Sequence, residues 1–430
     1  MLITQITAQS RTRVTVAIIG AGQAGMSASW HLCRAEIDHV VLERHQRFHA
    51  WKADRWDSFC LVTPNWQCKL PGWPYSGDDP TGFMLKDQII DYVEGFSNSF
   101  TSPLREGITV TRVSRNPDGL FDVDTDQGQW LADHVIIASG GYDTPIMPSF
   151  AKDLDPAIAQ ISSKSYRRPS DIPEGTCLIV GTGQSGVQMM EDLRIAGRDV
   201  HVAVGPAPRS PRWYRGLDAT DWLHRMGHYD ISIDQQPDPK STEAKTNHYM
   251  SGRDGGHEID LRQFARDGVQ LYGSVAGMDG TKIKFLPDLE ANLDAADQSY
   301  VGIRKMIDDY ITRAGIDAPE EPPFQKLWRP KEEITEIDTA NAGITSLLWC
   351  IGFRPDYSWL KIDCLDARGR PIHTRGVCDV PGIYFLGLGW LHTWGSGRFL
   401  GVSEDAAFVT DVIGRRMSEE VFFPKHSRIK

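Results

Sequence analysis

The chain has 430 residues, 40% hydrophobic and 24% charged, which is the composition of an ordinary globular protein of two or three domains. Its formal net charge of −11 argues against nucleic acid or an anionic membrane as a partner, because both attract basic surfaces. The segment Met1–Arg13 is polar, and no apolar run approaches the roughly 18 residues that span a bilayer. We therefore expect a cytoplasmic protein.

The seven cysteines are scattered and form no C-x-x-C pair. Such spacing argues against a disulfide framework, a zinc site and a dithiol redox centre, since each of these uses cysteines at short, fixed intervals. The cysteines are Cys33, Cys60, Cys68, Cys177, Cys350, Cys364 and Cys378.

A βαβ unit is predicted near the start of the chain. Val14–Ile19 is an apolar run typical of a buried strand, and the turn Gly20-Ala21-Gly22-Gln23-Ala24-Gly25 follows at once. Met26–Arg34 has helical spacing, and Val40–Leu42 predicts a second strand that ends at Glu43.

The G-x-G-x-x-G spacing of this turn suits a dinucleotide phosphate. The first glycine permits a tight turn, the second lets the backbone approach a pyrophosphate, and the third lets the helix pack closely on the sheet. Glu43 lies 18 residues after Gly25, about where a carboxylate binds a ribose diol. An adenine dinucleotide is therefore predicted, and the position near the N-terminus favours FAD. A glycine turn that serves packing alone is the alternative.

A second unit of the same kind begins at Cys177–Val180. The turn Gly181-Thr182-Gly183-Gln184-Ser185-Gly186 follows, then a helix over Val187–Ile195 and a strand over Val200–Val204. The second turn therefore predicts a second dinucleotide site.

The ribose position differs between the two units. Val204 stands 18 residues after Gly186, so the carboxylate is missing, and three arginines follow. Guanidinium groups bind a phosphate in a bidentate way, whereas an acidic side chain would repel the 2′-phosphate of NADPH. NADPH is therefore predicted here, unless the arginines are solvated or pair with Asp218 and Asp221. The arginines are Arg209, Arg212 and Arg215.

Further elements are predicted between and after the two units. Asn292–Gly315 carries apolar residues at steps of three and four, which indicates an amphipathic helix ended by Gly315. The proline-rich Pro319–Pro330 stretch indicates a surface connection. Strands are expected at Trp130–Ser139, Leu347–Ile351 and Ile383–Leu386, and a closing helix at Ser403–Ile413.

Several segments resemble the class B flavin-dependent monooxygenases, which hold FAD and NADPH on one chain and include flavin-containing monooxygenases, YUCCA enzymes, N-hydroxylases and Baeyer–Villiger enzymes. Besides the two glycine turns, the resemblance rests on Ala138-Ser139-Gly140, Pro211–Gly216 and Trp349–Pro355, and it covers nearly the whole chain. It implies an α/β fold with two Rossmann-like dinucleotide-binding domains, the FAD domain discontinuous and the NADPH domain inserted. The expected boundaries are 1–165 and 346–430 for the FAD domain and 166–345 for the NADPH domain, with an extra helical insertion around 230–330.

The resemblance also implies a reaction and a set of contacts. NADPH reduces the flavin, which takes up O₂ as a C4a-(hydro)peroxide and oxygenates a small organic substrate at nitrogen, sulfur or carbon. The segment Pro381–Gly387 resembles the strand that ends near the flavin ring. The implied FAD contacts are Gly20, Gly22, Gln23, Ala24, Gly25, Glu43, Arg44, Trp51 and Gly387, and the implied NADPH contacts are Gly181, Gly183, Gln184, Ser185, Gly186, Arg209 and Arg212.

Three features depart from the family pattern. Ser162 stands where the signature F-x-G-x-x-x-H-x-x-x-Y/W has its histidine, which weighs against a Baeyer–Villiger enzyme. Ile351 replaces the usual threonine of the ATGY segment. The 230–330 region is longer than compact members need, and a pocket wall and a homo-oligomer contact both stay open as its role.

Asn65 is the candidate catalytic residue. It lies in Trp51–Pro74, where four tryptophans in 24 residues suit a dry wall around an isoalloxazine ring. Asn65 resembles the asparagine that these monooxygenases place beside the flavin, where a neutral amide would hydrogen-bond the oxygenated cofactor. The alternatives are that the tryptophans form ordinary core and that Asn65, following Pro64, is a turn residue.

The predicted function is that of an NADPH- and O₂-dependent flavin monooxygenase acting on a small molecule. The enzymatic alternative is an NAD(P)H-dependent flavoprotein reductase or oxidase without oxygen transfer, although reductases of the disulfide type use a cysteine pair that this sequence lacks. A non-catalytic, redox-sensing flavoprotein is the third hypothesis. Oxygen transfer, electron delivery to an added acceptor and negligible turnover distinguish the three.

Overall fold

The computed structural model describes residues 11–422, so the first ten positions of the predicted polar N-terminal segment lie outside the described residues. The first stretch contains β1 (Arg11–Ile19), α1 (Gln23–Arg34), β2 (His39–Glu43), α2 (His49–Lys52), β3 (Lys69–Leu70), β4 (Trp73–Pro74), α3 (Lys86–Asn98), β5 (Leu104–Glu106), β6 (Val110–Arg115), β7 (Phe121–Thr125), β8 (Gly128–Ile137) and β9 (Thr144–Pro145). The middle stretch contains β10 (Ala159–Ser162), β11 (Thr176–Val180), α4 (Gln184–Ile195), β12 (Val200–Ala203), β13 (Trp213–Tyr214), β14 (Leu217–Asp218), α5 (Ala219–Arg225), α6 (Pro239–Ala244), α7 (Leu261–Arg266), β15 (Gln270–Tyr272), β16 (Val275–Asp279), β17 (Lys282–Phe285), α8 (Leu289–Ala314), β18 (Glu336–Asp338) and β19 (Ile344–Trp349). The last stretch contains β20 (Phe353–Arg354), β21 (Leu360–Lys361), β22 (His373–Thr374), β23 (Val377–Cys378), β24 (Ile383–Phe385) and α9 (Val402–Phe422). Short 3₁₀ helices cover Asn65–Gln67, Ser149–Asp153, Pro169–Asp171, His228–Asp230, Ile233–Gln235 and Arg253–Gly255.

The first sheet has ten strands and draws on both ends of the chain. Its order is β21-β6-β7-β8-β1-β2-β5, and β24, β23 and β22 continue from β8. β1 pairs in parallel with both β2 and β8. Its apolar run is buried on both faces, because Val16 and Ile18 enter one core while Ala17 and Ile19 enter another.

The second sheet has five strands, all paired in parallel in the order β10-β19-β11-β12-β15. Every residue of β11 is buried, which explains its continuous apolar sequence. The predicted α/β fold with two Rossmann-like units is therefore confirmed.

Two short strands connect the sheets. β9 and β20 pair antiparallel, with Thr144 opposite Arg354 and Pro145 opposite Phe353, so the chain enters and leaves the second domain side by side. The predicted boundaries of the second domain, at 166 and 345, need correction. β10 lies before 166, and all but the first two residues of β19 lie after 345, yet both strands belong to the second sheet. β10 is short and only partly buried, so its sequence carries little apolar signal.

The region around 230–330 is more than the predicted helical insertion. It supplies β15, the edge strand beside β12, and the hairpin β16–β17, which β18 extends to three strands. The predicted amphipathic helix is confirmed as α8, whose buried residues include Leu293, Ile303 and Ile307. Gly315 ends α8 with a left-handed φ of 64°, as expected of a C-terminal glycine.

The closing helix α9 packs against α1 and confirms the helix predicted over Ser403–Ile413. Both helices lie on the face of the first sheet that contains Val16 and Ile18. Within residues 11–422, no helix is long and apolar enough to cross a membrane.

Candidate active site

The first glycine turn joins β1 to α1, and its three glycines are required for different reasons. Gly20 has a φ of 104°, and a Cβ there would lie 2.5 Å from the carbonyl oxygen of Ala138. A Cβ on Gly25 would lie 1.9 Å from the oxygen of Gly20. Gly22 has an ordinary φ of −76°, and a Cβ there would meet no protein atom within 4 Å. The protein needs glycine at the first and third positions, whereas the open space at Gly22 fits the close approach of a ligand.

The N-terminus of α1 is open to an anion. Gly22 is its N-cap, no side chain caps the helix, and the first turn contains no acidic residue. Its free N–H groups and the positive end of the helix dipole suit a phosphate.

Glu43 is held in place by backbone amides at the end of β2. The N–H of Ala21 donates to one carboxylate oxygen and the N–H of His45 to the other, both at 2.8 Å. A carboxylate oxygen accepts more than one hydrogen bond, so the group retains capacity for a ribose diol. The ribose contact of Glu43 stays a prediction.

The C-terminal part of the chain closes over the first turn. The Gln23 amide donates to the carbonyl oxygen of Gly397 at 3.2 Å and accepts from the Trp51 indole at 2.9 Å. Gly387 has a φ of 82°, and a Cβ there would lie 2.6 Å from the Cβ of Ala24. The structure therefore brings Gln23, Ala24, Trp51 and Gly387 together. Arg44 instead forms a half-exposed ion pair of 2.5 Å with Asp143.

The second glycine turn repeats this geometry between β11 and α4. A Cβ on Gly181, whose φ is 99°, would lie 2.7 Å from the oxygen of Cys350, and one on Gly186 would lie 2.1 Å from the oxygen of Gly181. Gly183 is the N-cap residue of α4, and no side chain caps this helix. A Cβ on Gly183 would have a methyl group of Thr246 as its nearest neighbour, at 3.8 Å. Ser185 lies half-buried in the first turn of α4.

Gln184 attaches the second turn to the segment that follows α6. Its amide donates to the carbonyl oxygen of Met250 at 2.6 Å and accepts from the N–H of Met250 at 3.1 Å. The two turns therefore share one arrangement, in which a glutamine at the start of the helix fixes a distant segment of the chain.

The arginines predicted to bind the 2′-phosphate have protein partners. Arg209 is buried in ion pairs with Asp260 at 2.8 Å and Asp297 at 3.1 Å. Arg212 is fully buried, 2.5 Å from Asp218, and also donates to the carbonyl oxygen of Val62. Arg215 pairs with Asp308 at 3.2 Å. These contacts agree with the alternative of pairing with nearby acids, because the carboxylates already neutralise the guanidinium charges. Sequence spacing could not reveal partners such as Asp260 and Asp297, which come from distant parts of the chain.

The Asn65 side chain is buried and bonded to backbone at both ends. Its oxygen accepts from the N–H of Met84 at 2.8 Å, and its nitrogen donates to the carbonyl oxygen of Asp79 at 2.9 Å. These hydrogen bonds hold the 79–84 segment in place, so Asn65 has a structural role in positioning that segment. The idea that Asn65 acts on the oxygenated cofactor stays a prediction.

An aromatic wall lies beside the first turn, and sequence reasoning missed its cations. Trp51 stacks on Phe399 with ring centroids 5.3 Å apart, and Trp394 stacks on Tyr229 at 4.6 Å. Arg55 lies over the Trp51 ring at 5.1 Å and Arg398 over Trp394 at 4.1 Å. We define Trp51, Phe399, Trp394 and Tyr229 as the aromatic wall. The tryptophan density hinted at it, but no local pattern marked the arginines.

Four of the buried thiols are unsuited to redox chemistry at neutral pH. Burial raises the pKa of Cys60 and Cys177 to about 11 and that of Cys68 and Cys364 to about 12. All seven cysteines are free. Because the thiolate is the reactive form, these four side chains are inert under ordinary conditions.

Comparisons with known proteins find oxidoreductases and flavin monooxygenases among the similar sequences and structures. Residues 17–215 match the family model described as pyridine nucleotide-disulphide oxidoreductase. An uncharacterized oxidoreductase, CzcO-like, of Geobacillus kaustophilus is 29% identical over 93% of this chain and 98% of its own length. Indole-3-pyruvate monooxygenase YUCCA1 of Oryza sativa is 24% identical over 76% of this chain and 87% of its own. The solved flavin-containing monooxygenase from Stenotrophomonas maltophilia shares the fold, with a TM-score of 0.67 at 21% identity, over 94% of this chain and 99% of its own.

The resemblance predicted from the sequence is thereby confirmed. The chain is similar in sequence and in fold to the class B flavin-dependent monooxygenases.

Proposed function

We propose that the chain is an NADPH- and O₂-dependent flavin monooxygenase that transfers oxygen to a small organic substrate. FAD binds at the first glycine turn and NADPH at the second. The proposal rests on the geometry of the two glycine turns. In each turn, packing requires glycine at the first and third positions, and the middle glycine faces open space. The helix that follows each turn has no side-chain cap at its N-terminus.

The residues of the first site divide the work of holding FAD. The N–H groups at the start of α1 bind its pyrophosphate, and Glu43 binds its adenosine ribose. Gln23, Trp51 and Gly387 fix the segments that surround the ring system. When bound, reduced flavin supplies the activation of dioxygen, and the aromatic wall excludes water from that chemistry.

The NADPH site has the helix N-terminus and the glycine turn, but Arg209 and Arg212 are already paired with carboxylates of the protein. The choice between NADPH and NADH is therefore proposed to rest chiefly on the missing carboxylate at Val204. A 2′-phosphate is not repelled there, in contrast to the position of Glu43 in the first site.

A dithiol reductase is the rival function, and the matched family model carries that description. Such an enzyme passes electrons through a cysteine pair, whereas burial raises the pKa of Cys60 to about 11 and that of Cys68 to about 12. Oxygen transfer is therefore the better supported use of the two cofactors.

The experiment reduces the purified holoenzyme anaerobically with NADPH and mixes it with oxygenated buffer containing methyl phenyl sulfide. We expect NADPH and O₂ to be consumed, and methyl phenyl sulfoxide to be formed, in equal amounts. Flavin reoxidation should occur in two phases. Single-phase reoxidation with hydrogen peroxide as the whole product, or full electron delivery to an added quinone in air, would favour the oxidase or reductase.

The variant Asn65→Ala tests the catalytic prediction in the same assay. If Asn65 only positions the 79–84 segment, its loss lowers the melting temperature and leaves the ratio of sulfoxide to NADPH unchanged. A lower ratio at an unchanged melting temperature would restore the catalytic role.

A further inference from the structure

One face of α4 is polar although it is buried. Gln188, Glu191 and Asp192 lie four, seven and eight positions after Gln184, so they share one side of the helix that begins at the second turn. Each of the three is at most 6% exposed. Two buried carboxylates in a helix cost more free energy than apolar side chains would, so their contacts require an explanation.

The Asp192 carboxylate accepts hydrogen bonds from both domains. The phenol of Tyr166 donates to Oδ2 at 2.6 Å, and the guanidinium of Arg253 donates to Oδ1 at 2.9 Å. These two donors belong to the second domain. The hydroxyl of Ser58, 2.5 Å from Oδ1, is the third donor and comes from the first domain. Asp192 therefore joins the domains through a buried hydrogen bond to a charged acceptor, which is stronger than a bond between neutral groups.

Glu191 supports this arrangement from the side of the second domain. Its carboxylate accepts from the Ser251 hydroxyl at 2.9 Å and contacts His257 Nε2. Arg253 Nε lies 3.7 Å from the same carboxylate. Because Arg253 is shared by Glu191 and Asp192, it compensates part of their charge and fixes the orientation of the Asp192 side chain.

Ser58 lies in a stretch that contacts both domains, and we define Trp56–Cys60 as the bridging segment. Trp56 is buried in a core that it shares with residues of β11 and α4. Cys60 instead pairs with Leu85, next to the start of α3 in the first domain. The bridging segment is therefore held between the two domains.

The bridging segment is attached to α4 at two places. Besides the bond from Ser58 to Asp192, the Gln188 amide donates to the carbonyl oxygen of Cys60 at 3.4 Å. Asp192 and Gln188 lie about one helical turn apart. The two contacts therefore fix the orientation of the bridging segment on the helix as well as its distance.

The same segment reaches the first glycine turn. The ring centroid of Phe59 lies 6.0 Å from that of Trp51, whose indole donates to Gln23 at the start of α1. A series of direct contacts therefore connects the start of α1, where FAD is proposed to bind, with the helix that begins at the proposed NADPH site.

Hydride transfer requires the two cofactors at a fixed separation. In the proposed reaction a hydride leaves NADPH, which becomes NADP⁺, and reduces the flavin. Domains of one chain move relative to each other by default, whereas hydrogen bonds to a charge are directional. We propose that Asp192 is a positioning residue that, through Ser58, fixes the bridging segment on α4 and so holds the two dinucleotides at the separation that hydride transfer requires. This inference rests on the proposed function for the placement of FAD and NADPH.

The test compares the FAD holoenzymes of the wild type, Ser58→Ala, Ser58→Thr and Asp192→Asn without oxygen. Stopped-flow absorbance measures flavin reduction over a range of NADPH concentrations, which separates the limiting rate from the dissociation constant. We expect Ser58→Ala and Asp192→Asn to lower the limiting rate about tenfold to a hundredfold, the effect of a displacement of about 1 Å. Their FAD content and NADP⁺ dissociation constants should stay at the wild-type values. Ser58→Thr keeps the hydroxyl and should retain most of the rate.

A second readout needs no turnover. Holoenzyme reduced with dithionite is titrated with NADP⁺, and the long-wavelength charge-transfer absorbance reports the stacking of nicotinamide on reduced flavin. At saturating NADP⁺ this absorbance should be weaker in Ser58→Ala and Asp192→Asn than in the wild type, and close to the wild type in Ser58→Thr. Neither readout involves O₂, so the positioning role can fail while oxygen transfer is confirmed, and it can hold where oxygen transfer is absent.

Thr281→Ala is the matched control for Ser58→Ala. The Thr281 hydroxyl also donates to a carboxylate, that of Asp338 at 2.6 Å, but both residues belong to the second domain. This variant should change neither the limiting rate nor the charge-transfer absorbance. The proposal is overturned if Ser58→Ala and Asp192→Asn reach the wild-type limiting rate, or if Thr281→Ala slows reduction as much as they do. It is also overturned if they slow reduction only by losing FAD or NADP⁺ affinity, since Asp192 would then serve binding and not position.

Discussion

The two glycine turns have the same backbone and different surroundings. In both, a Cβ on the third glycine would lie about 2 Å from the oxygen of the first glycine, and the following helix starts uncapped. After the first turn, Glu43 ends the next strand and holds the turn through the N–H of Ala21. After the second, Val204 stands at the equivalent place and its carbonyl oxygen accepts from Asn292. One local motif therefore builds two candidate sites that differ in charge at the predicted ribose position.

The two turns are also closed by segments from different parts of the chain. Gln23 reaches Gly397 from the C-terminal part, so the first site is closed by both ends of the chain. Gln184 reaches Met250 within the middle stretch, so the second site is closed by its own domain. Because the two sites use separate sheets and separate cores, we expect damage at one turn to leave the other functional.

The largest effect is expected from adding a methyl group at the third glycine of each turn. Gly25→Ala places a Cβ 1.9 Å from a backbone oxygen, and Gly186→Ala places one at 2.1 Å, so each turn must distort at a cost of about 3 kcal/mol or more. Gly25→Ala should purify without flavin, and Gly186→Ala should retain it. The flavin-to-protein absorbance ratio measures this, with Gly414→Ala in α9 as a control that meets no atom within 4 Å. Equal flavin loss in both variants would remove the independence of the two sites.

The next effect concerns Arg212, which the sequence assigned to NADPH and the structure pairs with Asp218 at 2.5 Å. Arg212→Met leaves a buried carboxylate unpaired, which should cost about 3–5 kcal/mol of stability. The ratio of NADPH to NADH affinity should not change. Thermal unfolding and titration with both cofactors check this. A stable variant that no longer prefers NADPH would reinstate the sequence interpretation.

A smaller effect is expected from Glu43→Gln. The amide keeps the shape of the side chain but places an N–H group against one of the two backbone donors, and it loses the charge that strengthens a ribose contact. The FAD dissociation constant should rise about tenfold, with NADP⁺ binding unchanged. Glu36→Gln, on an exposed residue after α1, is the control. Unaltered FAD binding would show that Glu43 serves only the turn.

The smallest effect is a pH dependence at Asp405, near the start of α9. Burial raises the pKa of this carboxyl to about 6 from an ordinary value of 3.8. The folded state therefore holds the proton more tightly than the unfolded state, and stability from this group falls as the pH rises from about 4 to about 6. In Asp405→Asn the loss of melting temperature over that interval should be smaller than in the wild type. Identical pH profiles would mean that Asp405 has an ordinary pKa.

The sequence predicted what local chemistry determines. Both glycine turns and the Gly315 helix end depend on backbone geometry within a few residues, and all three form as predicted. Glu43 ends β2 as predicted, and its ribose contact stays a prediction. The partners of Arg209 and Arg212 were not predictable, because ion pairing depends on which carboxylates the fold brings close. The same holds for Asn65, whose two hydrogen bonds reach the 79–84 segment, and for the edge strand β10, whose few residues carry little pattern.

The central claim is that the two turns hold two different dinucleotides, and the middle glycines test it most directly. A Cβ at Gly22 meets no protein atom within 4 Å and one at Gly183 meets only a methyl group at 3.8 Å, so alanine at either place leaves the apoprotein intact and obstructs only a ligand. We would titrate FAD and NADP⁺ into Gly22→Ala and Gly183→Ala and compare dissociation constants with the wild type. The account predicts that Gly22→Ala weakens FAD alone and Gly183→Ala weakens NADP⁺ alone, each by about tenfold or more. Loss of both cofactors in one variant, or of neither in both, would contradict it.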